Sequence, residues 1–198
     1  MRSVLLWLLV LFGVAFPAPS QAAPCQPAEF FVTDNADPLF EPQADMTITQ
    51  GGVAVTGSTP LDGVYWSDAQ QRVIFERSRE FHLCGADEPA LHTAAEAVRR
   101  QFDQESVLSF DYLPQHAAEQ NAILITVLGV DIERIGTALA ADPAARNRLR
   151  GASVTATDHT LILVAVNGDR DVARRLVVES GGDWNAAGIA YGRSEFVE

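Results

Sequence analysis

Ala122-Ile123-Leu124-Ile125-Thr126-Val127-Leu128-Gly129-Val130 opens the part of the chain whose pattern decides the fold. A run this apolar and this short suits a central strand covered on both faces. Asp131 then stands where a helix N-cap belongs, and Ile132, Ile135 and Leu139 follow at helical spacing. Asp142-Pro143 restarts that helix, with an N-cap residue followed by proline at the first helical position, and Gly151 ends it. Ser153–Thr157 and Thr160–Val166 read as two strands about an Asp158-His159 turn. Asp169 opens a further helix that buries Val172, Leu176 and Val177 and stops at Gly181-Gly182, and Gly188–Val197 supplies a last strand.

Residues 122–198 therefore give the order β-α-β-β-α-β. That order predicts an α/β protein of the α+β sandwich kind, with a ferredoxin-like C-terminal half: an antiparallel sheet carrying both helices on one face. Upstream, residues 64–121 predict a β-β-α-β unit. Val64-Tyr65-Trp66 and Arg72–Leu83 form its first strands, and Asp87 and Pro89 open a helix burying Leu91, Ala95, Val98 and Phe102. Val107–Leu113 follows as a strand. Residues 23–63 are punctuated by prolines and read as a loop-rich segment. Alternation around Gly51-Gly52 predicts a β-hairpin there.

Residues 1–22 have the layout of a signal peptide. Arg2 precedes the apolar run Val4–Phe16, then come Pro17 and Pro19, and Ser20-Gln21-Ala22 offers small residues to a peptidase. The run is too short for a membrane anchor, so the mature chain is expected to lack a transmembrane segment and to be secreted or periplasmic. In an oxidising compartment Cys25 and Cys84 are expected to form a disulfide. All 14 basic residues are arginine, and the formal charge is −12. Such a surface repels polyanions, which argues against nucleic acid as a partner.

Chemistry-bearing residues are sparse. His82, Asp87, Glu88 and His92 lie within eleven residues and are the best metal-ligand candidates, though their spacing matches no zinc pattern. Arg146, Arg148 and Arg150 would bind an anion if they converged. His116 and His159 stand alone, no G-x-S-x-G elbow marks a serine nucleophile, and no sequence motif implies a cofactor. Trp184, after Gly181-Gly182-Asp183, is a candidate binding anchor. The sequence thus predicts a non-catalytic binding or assembly module for a protein or a small ligand, with an exposed apolar patch. The alternatives are a metal protein or hydrolase built on His82 and His92, and an anion binder using the arginines.

Overall fold

Alternating polar and apolar residues along the strands need two different environments, and the architecture supplies both by curling one sheet into a ring. The computed structural model describes residues 25–149 and 151–198. Its first half runs β1 (Pro27–Thr33), α1 (Phe40–Gln50), β2 (Ala54–Ser67), β3 (Arg72–Cys84), α2 (Glu88–Gln101) and β4 (Val107–Tyr112). The second runs β5 (Ala122–Val127), α3 (Ile132–Ala141), α4 (Pro143–Arg148), β6 (Ala152–Thr155), β7 (Leu161–Val166), α5 (Arg170–Glu179) and β8 (Gly188–Val197). The strands form a closed barrel in the order β1-β3-β2-β6-β7-β5-β8-β4, with β4 returning to β1.

Closure overturns the expected α+β sandwich with a ferredoxin-like C-terminal half. Leu61–Val64 of β2 pair with Ala152–Thr155 of β6, and Val107–Tyr112 of β4 pair with Gly192–Val197 of β8. Each half alone would present unpaired strand edges, and these two seams satisfy them. The expected hairpin at Gly51-Gly52 is also replaced. Met46–Gln50 belong to α1, because Phe40, Ala44 and Ile48 recur every fourth residue and are all buried. Gly51 and Gly52 end that helix, and Gly52 takes a positive φ of 87°.

Helices cover the outside. Ala28, Phe30 and Val32 of β1 and Phe81 and Leu83 of β3 pack with Phe40, Ile48, Leu91 and Val98 of α1 and α2. Ile123, Ile125, Leu161 and Leu163 of β5 and β7 pack with Ile135, Leu139, Val172 and Leu176 of α3 and α5. Three caps sit where the sequence placed them. Asp87 accepts from the Ala90 N–H at 3.0 Å, Asp131 from Glu133 at 2.9 Å, and Asp142 from Ala144 at 2.8 Å. Asp169 precedes α5 but makes no capping bond, because its carboxylate turns to Arg148 instead. No helix among the described residues is long and apolar enough to cross a membrane.

Cys25 and Cys84 form a disulfide with Cα atoms 5.2 Å apart, tying the entry of β1 to the end of β3 across 59 residues. Replacing both by alanine should lower unfolding stability by about 4 kcal/mol on the chain-entropy account, read from urea midpoints. No loss would mean that β1 is held by its two strand neighbours alone. At the β4–β8 seam, a Cβ on Gly192 would overlap the Asp111 carbonyl and lie 2.8 Å from Phe110 Cζ. Gly192→Ala should therefore destabilise by roughly 2 kcal/mol or more, and an unchanged midpoint would contradict this packing.

Candidate functional site

Side chains on alternate positions of the barrel strands point inward, and they differ along its axis. Thr33, Phe31 and Glu29 follow one another on β1; on the neighbouring β3 they face Ser78, Glu80 and His82 in register. In the middle, Leu61, Phe110, Ala122, Leu124 and Ile162 form a buried apolar plug against which Phe31 and Tyr112 pack. On one side of the plug is a cavity of about 750 Å³, and on the other a charged cluster.

Phe31, Tyr65 and Val164 give the cavity apolar walls, while Glu76, Ser78 and Ser153 add polar groups. Burial pushes the Glu76 carboxyl above its ordinary value, and Glu105 adds to the effect while the Thr33 hydroxyl opposes it. The segment 102–106 between α2 and β4 lies along the mouth. There Gln104 donates from Nε2 to the Thr33 carbonyl at 2.7 Å, while its Oε1 is buried without a partner. A buried acceptor of this kind is costly unless something donates to it.

Beyond the plug, His82 Nδ1 shares a hydrogen bond with Glu29 Oε2 at 2.7 Å, and Nε2 shares one with Thr59 Oγ1 at 2.8 Å. Glu29 and Glu80 are both over nine-tenths buried. Burial, then the neighbouring Glu29 charge, pushes the Glu80 carboxyl up to about 7 against the opposing pull of His82. The hydrogen bond that the imidazole donates to Glu29 holds His82 above its ordinary value despite partial burial. Burial also keeps the Tyr112 phenol protonated well beyond its usual range, with Glu29 and Glu80 contributing.

The expected constellation of His82, Asp87, Glu88 and His92 is not assembled. His82 points into the barrel, whereas Asp87 caps α2. Glu88 pairs with Arg193 at 2.6 Å, and His92 lies 3.3 Å from Glu195 on the outer surface. Strand and helix periodicities send the four residues in different directions. Of the three arginines, the two described ones have separate partners. Arg146 stacks 4.4 Å over Trp66 and Arg148 pairs with Asp169, while Arg150 lies outside the described residues. His116 and His159 are exposed, and His159 adopts a positive φ of 54° in its turn. Trp184 is half-buried, packs against the helix-covered core and has the Arg170 guanidinium 6.0 Å from its ring centre. The exposed large apolar residues Leu39, Met46, Phe75, Leu128, Val166 and Val178 lie on different elements and loops.

Sequence reasoning missed Glu29, Glu80, Thr59 and the cavity. The available signal was a polar residue at every second position of β3 (Glu76, Ser78, Glu80 and His82), facing an acid set in the apolar strand Ala28–Val32.

Asp111 lies outside the barrel near Glu88 and Arg193. Burial raises its carboxyl to about 6, with Glu88 adding to the shift and Arg193 opposing it. A carboxyl raised in the folded state holds its proton more tightly there, so its contribution is present below its ordinary value and lost as pH rises through about 6. Asp111→Asn should therefore stabilise the protein at pH 7 by roughly 1 kcal/mol, allowing for solvent screening, with the gain vanishing near pH 4. Urea midpoints at the two pH values test this, and a gain confined to pH 4 would reverse the sign.

No family model matches the chain, and no curated protein is significantly similar to it. Among solved structures it is similar to a "putative monooxygenase" from Lactobacillus acidophilus NCFM, at 13% identity and TM-score 0.27, covering 86% of this chain and 95% of that one. A "putative glycine cleavage system transcriptional repressor" is similar at 13% identity and TM-score 0.27, covering 85% and 96%. A "putative monooxygenase" from Fusobacterium nucleatum subsp. nucleatum follows at 12% identity and TM-score 0.27, covering 88% and 94%. At these scores none of the likenesses carries an argument about function.

Proposed function

We propose that this protein is an exported, non-catalytic binding module that takes a small molecule into the barrel. The cavity of about 750 Å³ at the Thr33 end carries the reading, since that volume matches a small-molecule pocket. Its lining favours a ligand with an apolar body and an N–H-bearing, preferably cationic, head. Phe31, Tyr65 and Val164 would hold the body, while Glu76 and the unpartnered Gln104 Oε1 would accept from the head. An anionic ligand is less well served. Arg148 reaches the cavity but is engaged by Asp169. An assembly role has weaker support, because the large exposed apolar residues, Leu39 and Met46 at α1 apart, come from separate elements and loops. Export rests on the signal-peptide pattern of residues 1–22, which lie outside the described residues. The disulfide is compatible with it.

Thermal unfolding in the presence of 4-phenylbutylamine and of 4-phenylbutyrate separates the ligand classes. The amine should raise Tm in a saturable way and the acid should not. Ser153 lies on β6 at the cavity wall, so Ser153→Phe should occupy the cavity and abolish the amine shift while keeping the far-UV spectrum. A larger response to the acid, or an amine shift that survives in a folded Ser153→Phe protein, would reject the proposal.

A further inference from the structure

The cluster at the opposite end of the barrel is not part of this cavity. We propose that Glu29, Glu80 and His82 form a binding site for one divalent transition-metal cation of the Zn²⁺ type. Each residue offers one ligand atom, and the three atoms lie within 4.8 Å of one another. Two carboxylate oxygens and one imidazole nitrogen are a donor set suited to such an ion. A tetrahedral site with bonds of about 2.1 Å needs ligand atoms roughly 3.4 Å apart, so modest side-chain rotation closes the set.

An independent observation comes from Glu80. Its residue is only 6% exposed, no hydrogen bond from a described residue reaches its carboxyl, and Glu29 and His82 are the charged groups acting on it most. A buried carboxylate without a donor or a cation is strongly disfavoured. No arginine among the described residues supplies the charge. Arg79, the neighbour of Glu80 on β3, points to the other face and lies 3.1 Å from Asp34 and 3.2 Å from Glu41. A divalent cation between Glu29, Glu80 and His82 would supply the positive charge that the two carboxyls lack.

The surroundings suit that cation. Thr59 Oγ1 holds the far ring nitrogen at 2.8 Å, as outer partners of metal-bound histidines commonly do, leaving Nδ1 at Glu29. Register fixes the strands beneath it, with Glu29 directly opposite His82 and Thr59 opposite Glu80. The His82 side chain is 36% exposed, so an ion can enter from solvent and keep water in its remaining positions.

Titration of the oxidised protein with Co²⁺, followed by visible spectroscopy and Zn²⁺ displacement, reads the site. One equivalent should bind, Glu80→Gln and Glu29→Gln should each weaken binding at least tenfold, and His92→Ala should leave it unchanged. A second measurement needs no variant: one equivalent of Zn²⁺ should protect His82 from diethyl pyrocarbonate while His92, His116 and His159 remain reactive. Failure of the unaltered protein to bind Co²⁺ or Zn²⁺ stoichiometrically would overturn the site. So would binding that protects His92 instead of His82, or that persists undiminished in both glutamine variants.

Discussion

β4 is hydrogen-bonded along both edges, to β1 through Ala28–Phe31 and to β8 through Gly192–Val197, and with the β2–β6 seam this leaves no gap in the ring. Once the ring is closed, each strand has an outer face under helices and an inner face shared with seven other strands. The outer face is filled by aliphatic and aromatic residues from both halves of the chain. The inner face is less uniform. A cavity, an apolar plug and a charged cluster succeed one another along the axis, so one structure offers two chemically different interior ends.

Charge is distributed unevenly between these surfaces. The chain has no lysine, and the ion-paired arginines Arg79, Arg100, Arg148, Arg175 and Arg193 lie on the outer face of β3, on helices and on β8, with Arg148 also at the cavity. Inward-facing carboxyls therefore lack the usual guanidinium partner, and Glu76 and Glu80 both titrate above the ordinary range, chiefly through burial. This is the charge distribution on which the proposed donor-bearing ligand at the Glu76 end and the proposed cation at the His82 end both rest.

Downstream of residue 87, hydrophobic spacing and the three aspartate caps located the helices and strands to within a few residues, because those signals are local. In the N-terminal segment the same Met46–Gln50 residues satisfy both alternation and helical spacing. Only burial of Phe40, Ala44 and Ile48 against the outer core decides for α1. Barrel closure was not legible, since it depends on pairings between residues as distant as Leu61 and Thr155. The sites vanished with it. His82 was visible as a chemical group, but its partner Glu29 lies 53 residues away on another strand.

Glu29 and Phe31 show why an open sheet was the wrong environment for this sequence. They share one face of β1, while Ala28, Phe30 and Val32 fill the other and are buried under α1 and α2. On an open sheet that face would meet water, which suits Glu29 and leaves Phe31 exposed. Against a second apolar layer, Phe31 would be accommodated and Glu29 stranded. A barrel interior whose polarity changes along its axis accommodates both. Phe31 rests on the plug, and Glu29, one step further toward the rim, meets His82. The alternating stripe of β3 follows the same rule, running from Glu76 at the cavity to His82 at the opposite end. A pattern that looks like a solvated sheet face is thus the lining of a closed interior, where burial rather than water sets the behaviour of its acids.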